Sequence, residues 1–184
     1  MISATKWFRT FKRQLPKDPG IKLLEHMYDK RGSWGNDTQW THVVSVSLMR
    51  LAREMACFQL CRKIDFVWYR GKSKDPFVFI EHENDYRKVC KSELRNLLST
   101  TPNKYVLRVL ITYTWVDRSV TARRIAQVER SILRSIKRGA TGKTWTGELL
   151  IIIGHASAEE EGKGWRGYWR GWVLDRSRHF EALV

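Results

Sequence analysis

Helix-like and strand-like periodicities alternate along this chain of 184 residues, and the alternation predicts an α/β fold with a mixed central β-sheet flanked by helices. Three observations carry the prediction. Val44, Leu48, Leu51, Ala52 and Met55 recur at helical spacing within residues 42–60; two β-rich runs then flank a polar turn at 71–75; and the unbroken apolar run 149–153 has the length of a buried strand.

The elements follow in order. Residues 1–42 read as a basic N-terminal arm of irregular or mixed structure, broken by Pro16, Pro19, Gly20, Gly32 and Gly35, with room for a short helix at 21–28. After the 42–60 helix comes a hairpin, in which Pro76 suits the first position of the returning strand because its missing donor does least harm there. Asn84 or Asp85 supplies an N-cap for a second helix with the stripe Tyr86, Val89, Cys90, Leu94, Leu97 and Leu98. Residues 104–115 read as a strand, 118–138 as a third helix, and 147–154 as a fully buried strand. The core spans 43–155, and the Trp/Arg-rich segment 156–184 extends the same domain, with GWRGYWRGW forming an edge strand or an aromatic loop. The length suits one domain with a real core.

Charge indicates the partner. With 34 Lys and Arg against 19 Asp and Glu, the formal charge is +15, which favours a polyanion, DNA first, with RNA left open. A membrane partner would call for a lipid anchor or an amphipathic segment, and no apolar run approaches the ~20 residues that span a bilayer. Cys57, Cys61 and Cys90 lack zinc-site spacing and read as reduced, buried thiols of a cytoplasmic protein. Arg123, Arg130, Arg134, Lys137 and Arg138 cluster on one face of the third helix, opposite Ile125, Val128, Ile132 and Ile136. Such a stripe can track phosphates, though a merely solvated face has the same pattern. Arg166 and Arg170, interleaved with Trp165, Tyr168, Trp169 and Trp172, suggest stacking on unpaired bases; aromatics alternating in a strand also suit a core.

The chemistry concentrates in the hairpin, where Asp65, Glu81 and Glu83 lie in or beside apolar strands. A carboxylate on a half-buried strand is costly unless it is paired, hydrogen-bonded or metal-bound. A turn centred on Ser73 sets Asp65 opposite Glu81 on the same sheet face, with Cβ atoms about 4.5–5.5 Å apart, close enough to share one cation. Glu83 follows on that face, and a one-residue slip would separate the pair. The competing reading is a cross-strand ion pair with a neighbouring Arg or Lys. Glu54 offers an outer metal ligand, or equally a partner for Arg50 or Arg53. Gly142-Lys143-Thr144 lacks the leading glycine of a phosphate-binding loop, and alternation turns His82 to the other face. Glu93, on the apolar side of its helix, suits an internal ion pair as well as catalysis.

Asp65, Glu81-His82-Glu83 and the helix after them resemble the PD-(D/E)XK, or restriction-endonuclease-like, nuclease superfamily over about residues 43–115. The resemblance implies a restriction-endonuclease-like sandwich and an endonuclease that hydrolyses DNA with Mg²⁺, for which Mn²⁺ substitutes, in restriction, repair or junction resolution. It implies Asp65 and Glu81 as metal ligands, and enzymes of this pattern often act as homodimers. Ile64 stands in place of the proline, and Glu83 in place of the lysine. Glu83 is then a general base or further ligand; otherwise Lys91 or Lys88 of the following helix assists, or activity is lost and a nucleic-acid-binding protein of the same fold remains.

Overall fold

Seven strands line up in chain order in one mixed sheet: β1 (Cys57–Leu60), β2 (Phe66–Arg70), β3 (Pro76–His82), β4 (Val106–Tyr113), β5 (Gly147–Gly154), β6 (Trp169–Leu174) and β7 (Phe180–Leu183). The structure is a computed structural model that describes residues 2–15, 37–60, 64–73, 75–90, 92–100, 104–114, 122–154, 169–175, 177 and 179–183. Four helices accompany the strands among these residues: α1 (Ala4–Gln14), α2 (Asp37–Glu54), α3 (Glu93–Ser99) and α4 (Ala122–Ala140). β1, β2 and β3 are antiparallel neighbours, β3, β4 and β5 run parallel, and β6 and β7 return antiparallel. Parallel neighbours need crossovers, and α3 and α4 lie in the β3–β4 and β4–β5 connections.

Both faces of the sheet are covered. On one, Trp68, Val78, Ile80, Leu150 and Ile152 pack with α1 and α2; on the other, Val67, Phe79, Leu149 and Ile151 pack with α3 and α4. Burial on both sides explains why β4 and β5 read as nearly continuous apolar runs. The α/β class with a mixed sheet agrees with the sequence; the expected order helix, hairpin, helix, strand, helix, strand gains β1 before the hairpin, and the second helix starts at Glu93 after Ser92, not at Asn84 or Asp85.

The ends of the chain differ from the sequence reading. Residues 4–14, expected within a basic arm of irregular or mixed structure, form a helix whose Trp7, Phe8 and Phe11 are buried in the core. Ala4, Trp7, Phe8 and Phe11 recur at three and four, so the helical period is in the sequence, overshadowed by the basic residues between them. Ser3 Oγ accepts from the Lys6 N–H, and the Ala4 N–H donates to Glu148 Oε2 at 2.9 Å, placing a β5 carboxylate at the positive end of the helix. Phe8 lies over Gly171, where an added Cβ would come within 2.9 Å of the ring. Residues 16–36, including the expected short helix, lie outside the described residues. The 42–60 helix is two elements: α2 stops at Glu54, Ala56 adopts a positive φ of 53°, and β1 begins at Cys57. β6 is an interior strand, not the expected edge, because β7 pairs beyond it.

One buried charge locks α3 in place. Arg108 on β4 is fully buried, and its guanidinium donates to the carbonyls of Leu97 (2.8 Å), Thr100 (3.1 Å) and Thr146 (2.7 Å). It thereby satisfies acceptors at the C-terminal end of α3 and ties that end to the segment entering β5. Burial lowers its pKa to about 10, which leaves it charged at neutral pH. Arg108→Met should cost about 3 kcal/mol in urea unfolding, because buried carbonyls lose their donors. A loss below about 1 kcal/mol would remove the anchoring role.

Candidate functional site

The β2–β3 ladder pairs Phe66 with Ile80, Val67 with Phe79 and Trp68 with Val78, and its next step sets Asp65 opposite Glu81. The pair lies on the α3/α4 face, shared with Val67 and Phe79. Two backbone donors hold it: the His82 N–H donates to Asp65 Oδ2 at 2.9 Å, and the Asp65 N–H donates to the Glu81 carboxylate. The two carboxyls act on each other, and the proton favours Glu81. Glu81 is almost wholly buried, at 3 % exposure, and desolvation, then the Asp65 charge, pushes its pKa up to about 8. Asp65 is exposed as a residue, yet desolvation of its carboxyl beside Glu81 raises its pKa too. At neutral pH the pair therefore holds one proton between two acids.

Two more carboxylates complete the neighbourhood. Glu83 continues β3, its N–H donating to the Ile111 carbonyl at 2.9 Å, while its Oε1 accepts from the Asp85 N–H at 2.8 Å. Desolvation raises its pKa, and the Glu93 charge adds to the rise. Glu93, at the first position of α3, accepts from Ser92 Oγ at 2.5 Å, and its Oε2 is buried without a hydrogen-bond partner among the described residues. Among the described residues it has no ion-pair partner, and its charge acts on Asp65 and Glu83. Asn96, one turn along α3, makes a long 3.5 Å contact to Glu81 Oε1. Asn96 carries no signal of this contact in the sequence, because its helix reads as an apolar packing stripe.

His82 faces away, as alternation requires. Its Nε2 lies 2.7 Å from the Tyr113 hydroxyl, and burial lowers its pKa to about 4. Glu54 is not at the site: it ion-pairs with Arg13 and lies with Arg70 at the far end of β2, roughly 15 Å along the strand from Asp65. The helix that carries it ends beside the opposite end of the hairpin, so Glu54 does not reach the site as an outer metal ligand. Lys91 lies outside the described residues.

Arg123, Arg130, Arg134, Lys137 and Arg138 are all exposed on α4, joined by Arg124, which the sequence reading passed over. Arg134, Lys137 and Arg138, with Ser131 and Thr141, line a cleft of about 570 Å³. The α4 C-terminus packs on the turn before α3: a Cβ on Gly139 would meet Leu94 at 2.9 Å, and both Arg138 and Glu93 act electrostatically on Cys90, whose pKa burial raises. The basic cleft thus adjoins the acidic site through Cys90. Arg170 is exposed but pairs with Glu129 at 3.5 Å. Trp169 and Trp172 are buried core residues, and Arg166, Trp165 and Tyr168 lie outside the described residues.

The donor set suits a hard cation that retains much of its water. Asp65 and Glu81 supply adjacent oxygens that already compete for one proton, and Mg²⁺ commonly binds through one or two carboxylates. Among the described residues no three Asp, Glu, His or Cys side chains converge as a ready-made metal cage. No helix among them is long and apolar enough to cross a membrane. No protein-family model matches the chain, and neither does any curated protein.

The raised pKa values fix a pH dependence. A carboxyl whose folded pKa lies above its unfolded value favours the fold below about pH 4.5, and that contribution is lost as pH rises toward 8. Without divalent cations the Tm should fall by ~5 °C between pH 5 and 8. Glu81→Gln should flatten this decline; an unchanged slope would show that Glu81 is not held protonated.

Proposed function

We propose that this chain is a Mg²⁺-dependent endonuclease of PD-(D/E)XK type that hydrolyses DNA phosphodiester bonds. The observation that carries the reading is the facing pair Asp65–Glu81 at the open end of the β2–β3 hairpin. The order of three antiparallel strands, a helix and a parallel fourth strand supports a restriction-endonuclease-like sandwich. The exposed cations of α4 supply a path for phosphates beside the acids.

Asp65 and Glu81 would hold the cation, giving up their shared proton as they do so. Bound there, Mg²⁺ supplies Lewis-acid polarisation of a phosphoryl oxygen and a lowered pKa for water. Glu83 would take a proton from the attacking water, a role suited by its raised pKa and by acceptor capacity left beyond its bond to Asp85. Arg134, Lys137 and Arg138 would hold the flanking backbone.

Two observations favour a second reading, a nucleic-acid-binding protein of this fold without the reaction: no lysine follows Glu81 at the second position, and the described residues form no three-ligand cage. A cleavage screen over linear, branched and single-stranded DNA separates the two. The nuclease reading expects cutting with Mg²⁺ or Mn²⁺, at least 10²-fold loss in Asp65→Ala, and unchanged DNA affinity of that variant in EDTA. It also expects proton release when Mg²⁺ is titrated in at pH 7, absent in Glu81→Gln. Binding without cutting or proton release would leave only the second reading.

A further inference from the structure

The basic face of α4 has a counterpart, because α1 carries a second one on the opposite side of the sheet. α1 contains Lys6, Arg9, Lys12 and Arg13 and no acidic residue. Lys6, Arg9 and Arg13 are exposed, whereas Trp7, Phe8 and Phe11 are consumed by the core. A purely solubilising face is ordinarily mixed in sign.

Beside this face is a cleft of about 220 Å³ whose polar lining is Lys6, Thr10, Arg13, Arg70 and Glu54. Lys6, Thr10 and Arg13 fall at i, i+4 and i+7, one stripe of the helix, and Arg70 joins them from the end of β2. The α4 cleft is built alike, with Arg134, Lys137 and Arg138 beside Ser131 and Thr141. Among the described residues Glu54, ion-paired with Arg13, is the single acid in the α1 cleft.

We propose that α1 and Arg70 form a second phosphate-contacting surface, so that the chain holds two nucleic-acid segments at once, one on each face of the sheet. The outer faces of α1 and α4 point in opposite directions and are separated by at least two helix diameters, roughly 20–24 Å. A straight duplex lying on one cannot reach the other. An anionic membrane fits α1 poorly, because its apolar face is buried and cannot enter lipid. Glu54 tempers the surface by engaging Arg13. The proposal rests on the nucleic-acid reading of the charge and is independent of cleavage.

The test is capture of a second, labelled duplex by protein bound to a bead-tethered duplex, in EDTA. Wild type should capture. Lys6→Ala with Arg70→Ala should stay on the beads through α4, lose capture at least five-fold, and lower the salt slope of binding by about two. Lys6→Ala with Arg9→Ala should do the same without touching the packing of Arg70 on Phe77. Arg134→Ala with Lys137→Ala should also abolish capture, while Glu54→Gln should raise it a few-fold. Wild-type capture by both α1 variants would overturn the proposal. So would loss of binding to phosphatidylserine vesicles in those variants with duplex capture intact. Capture by a wild-type protein that never cuts DNA supports the two-surface arrangement and removes the nuclease reading alone.

Discussion

The candidate site depends on a single irregularity in the β2–β3 ladder. At the turn, Tyr69 pairs with Pro76; one step further, Trp68 pairs with Val78, so one extra residue, Phe77, is accommodated on β3. Had the register at the turn continued unbroken, Asp65 would meet Ile80, and the acids would fall out of step. The bulge resets the ladder and brings Asp65 opposite Glu81. Arg70 stacks over Phe77 at 4.8 Å, covering the ring at the bulge. Side-chain period in a strand is two, so nothing milder than a one-residue change could have moved every later pair to its new partner.

Register alone would leave two solvated acids; the third layer gives them their chemistry. α3 lies over the site with Glu93 and Asn96 turned toward the pair, and desolvation beneath it lifts Glu81 to a pKa of about 8. A seven-residue helix is too short to be stable by itself. Its C-terminal carbonyls are held by Arg108, and Leu94, Leu97 and Leu98 are buried against the sheet. The buried arginine and the desolvated acids are thus parts of one arrangement. Fixing one end of α3 to β4 keeps the other end, and the Glu93 charge, beside the hairpin.

The hairpin and parallel core were legible because period-2 and period-3.6 patterns there match the final burial: residues 147–154 are β5, and the facing of Asp65 and Glu81 follows from a turn at 71–75. The bulge itself was not legible, because a turn centred on Ser73 gives the same pairing at the acids without it. α1 was obscured by basic residues on its outer face, although its apolar spacing is regular. β1 was hidden because Ala56 breaks the helix with a positive φ at a residue that carries no turn signal. Glu54 misled because proximity in sequence to Asp65 says nothing of which end of a strand it reaches. Glu93 was underweighted since an apolar helix face masks an acid directed at a neighbouring strand, and only the crossing of α3 over β3 reveals the contact.

Placing glutamate at residue 83 changes the electrostatics of the proposed reaction. A lysine there would neutralise part of the acid cluster and meet an incoming phosphate directly. Here Asp65, Glu81, Glu83 and Glu93 share one neighbourhood; Lys88 acts on Glu83 from the turn before α3, and the cations of α4 touch the acids only at their margin, through Arg138 and Cys90. A polyanion drawn in by α4 therefore meets repulsion in the last few ångströms, where low dielectric makes like charges most costly. The shared proton on Glu81 relieves one charge, but a divalent cation relieves two, at the point where the phosphate must arrive. On the nuclease reading, cation binding is thus a condition for close approach of the substrate as well as for its chemistry. The affinity of the basic surfaces is then insensitive to the metal, while engagement of the hairpin is governed by it.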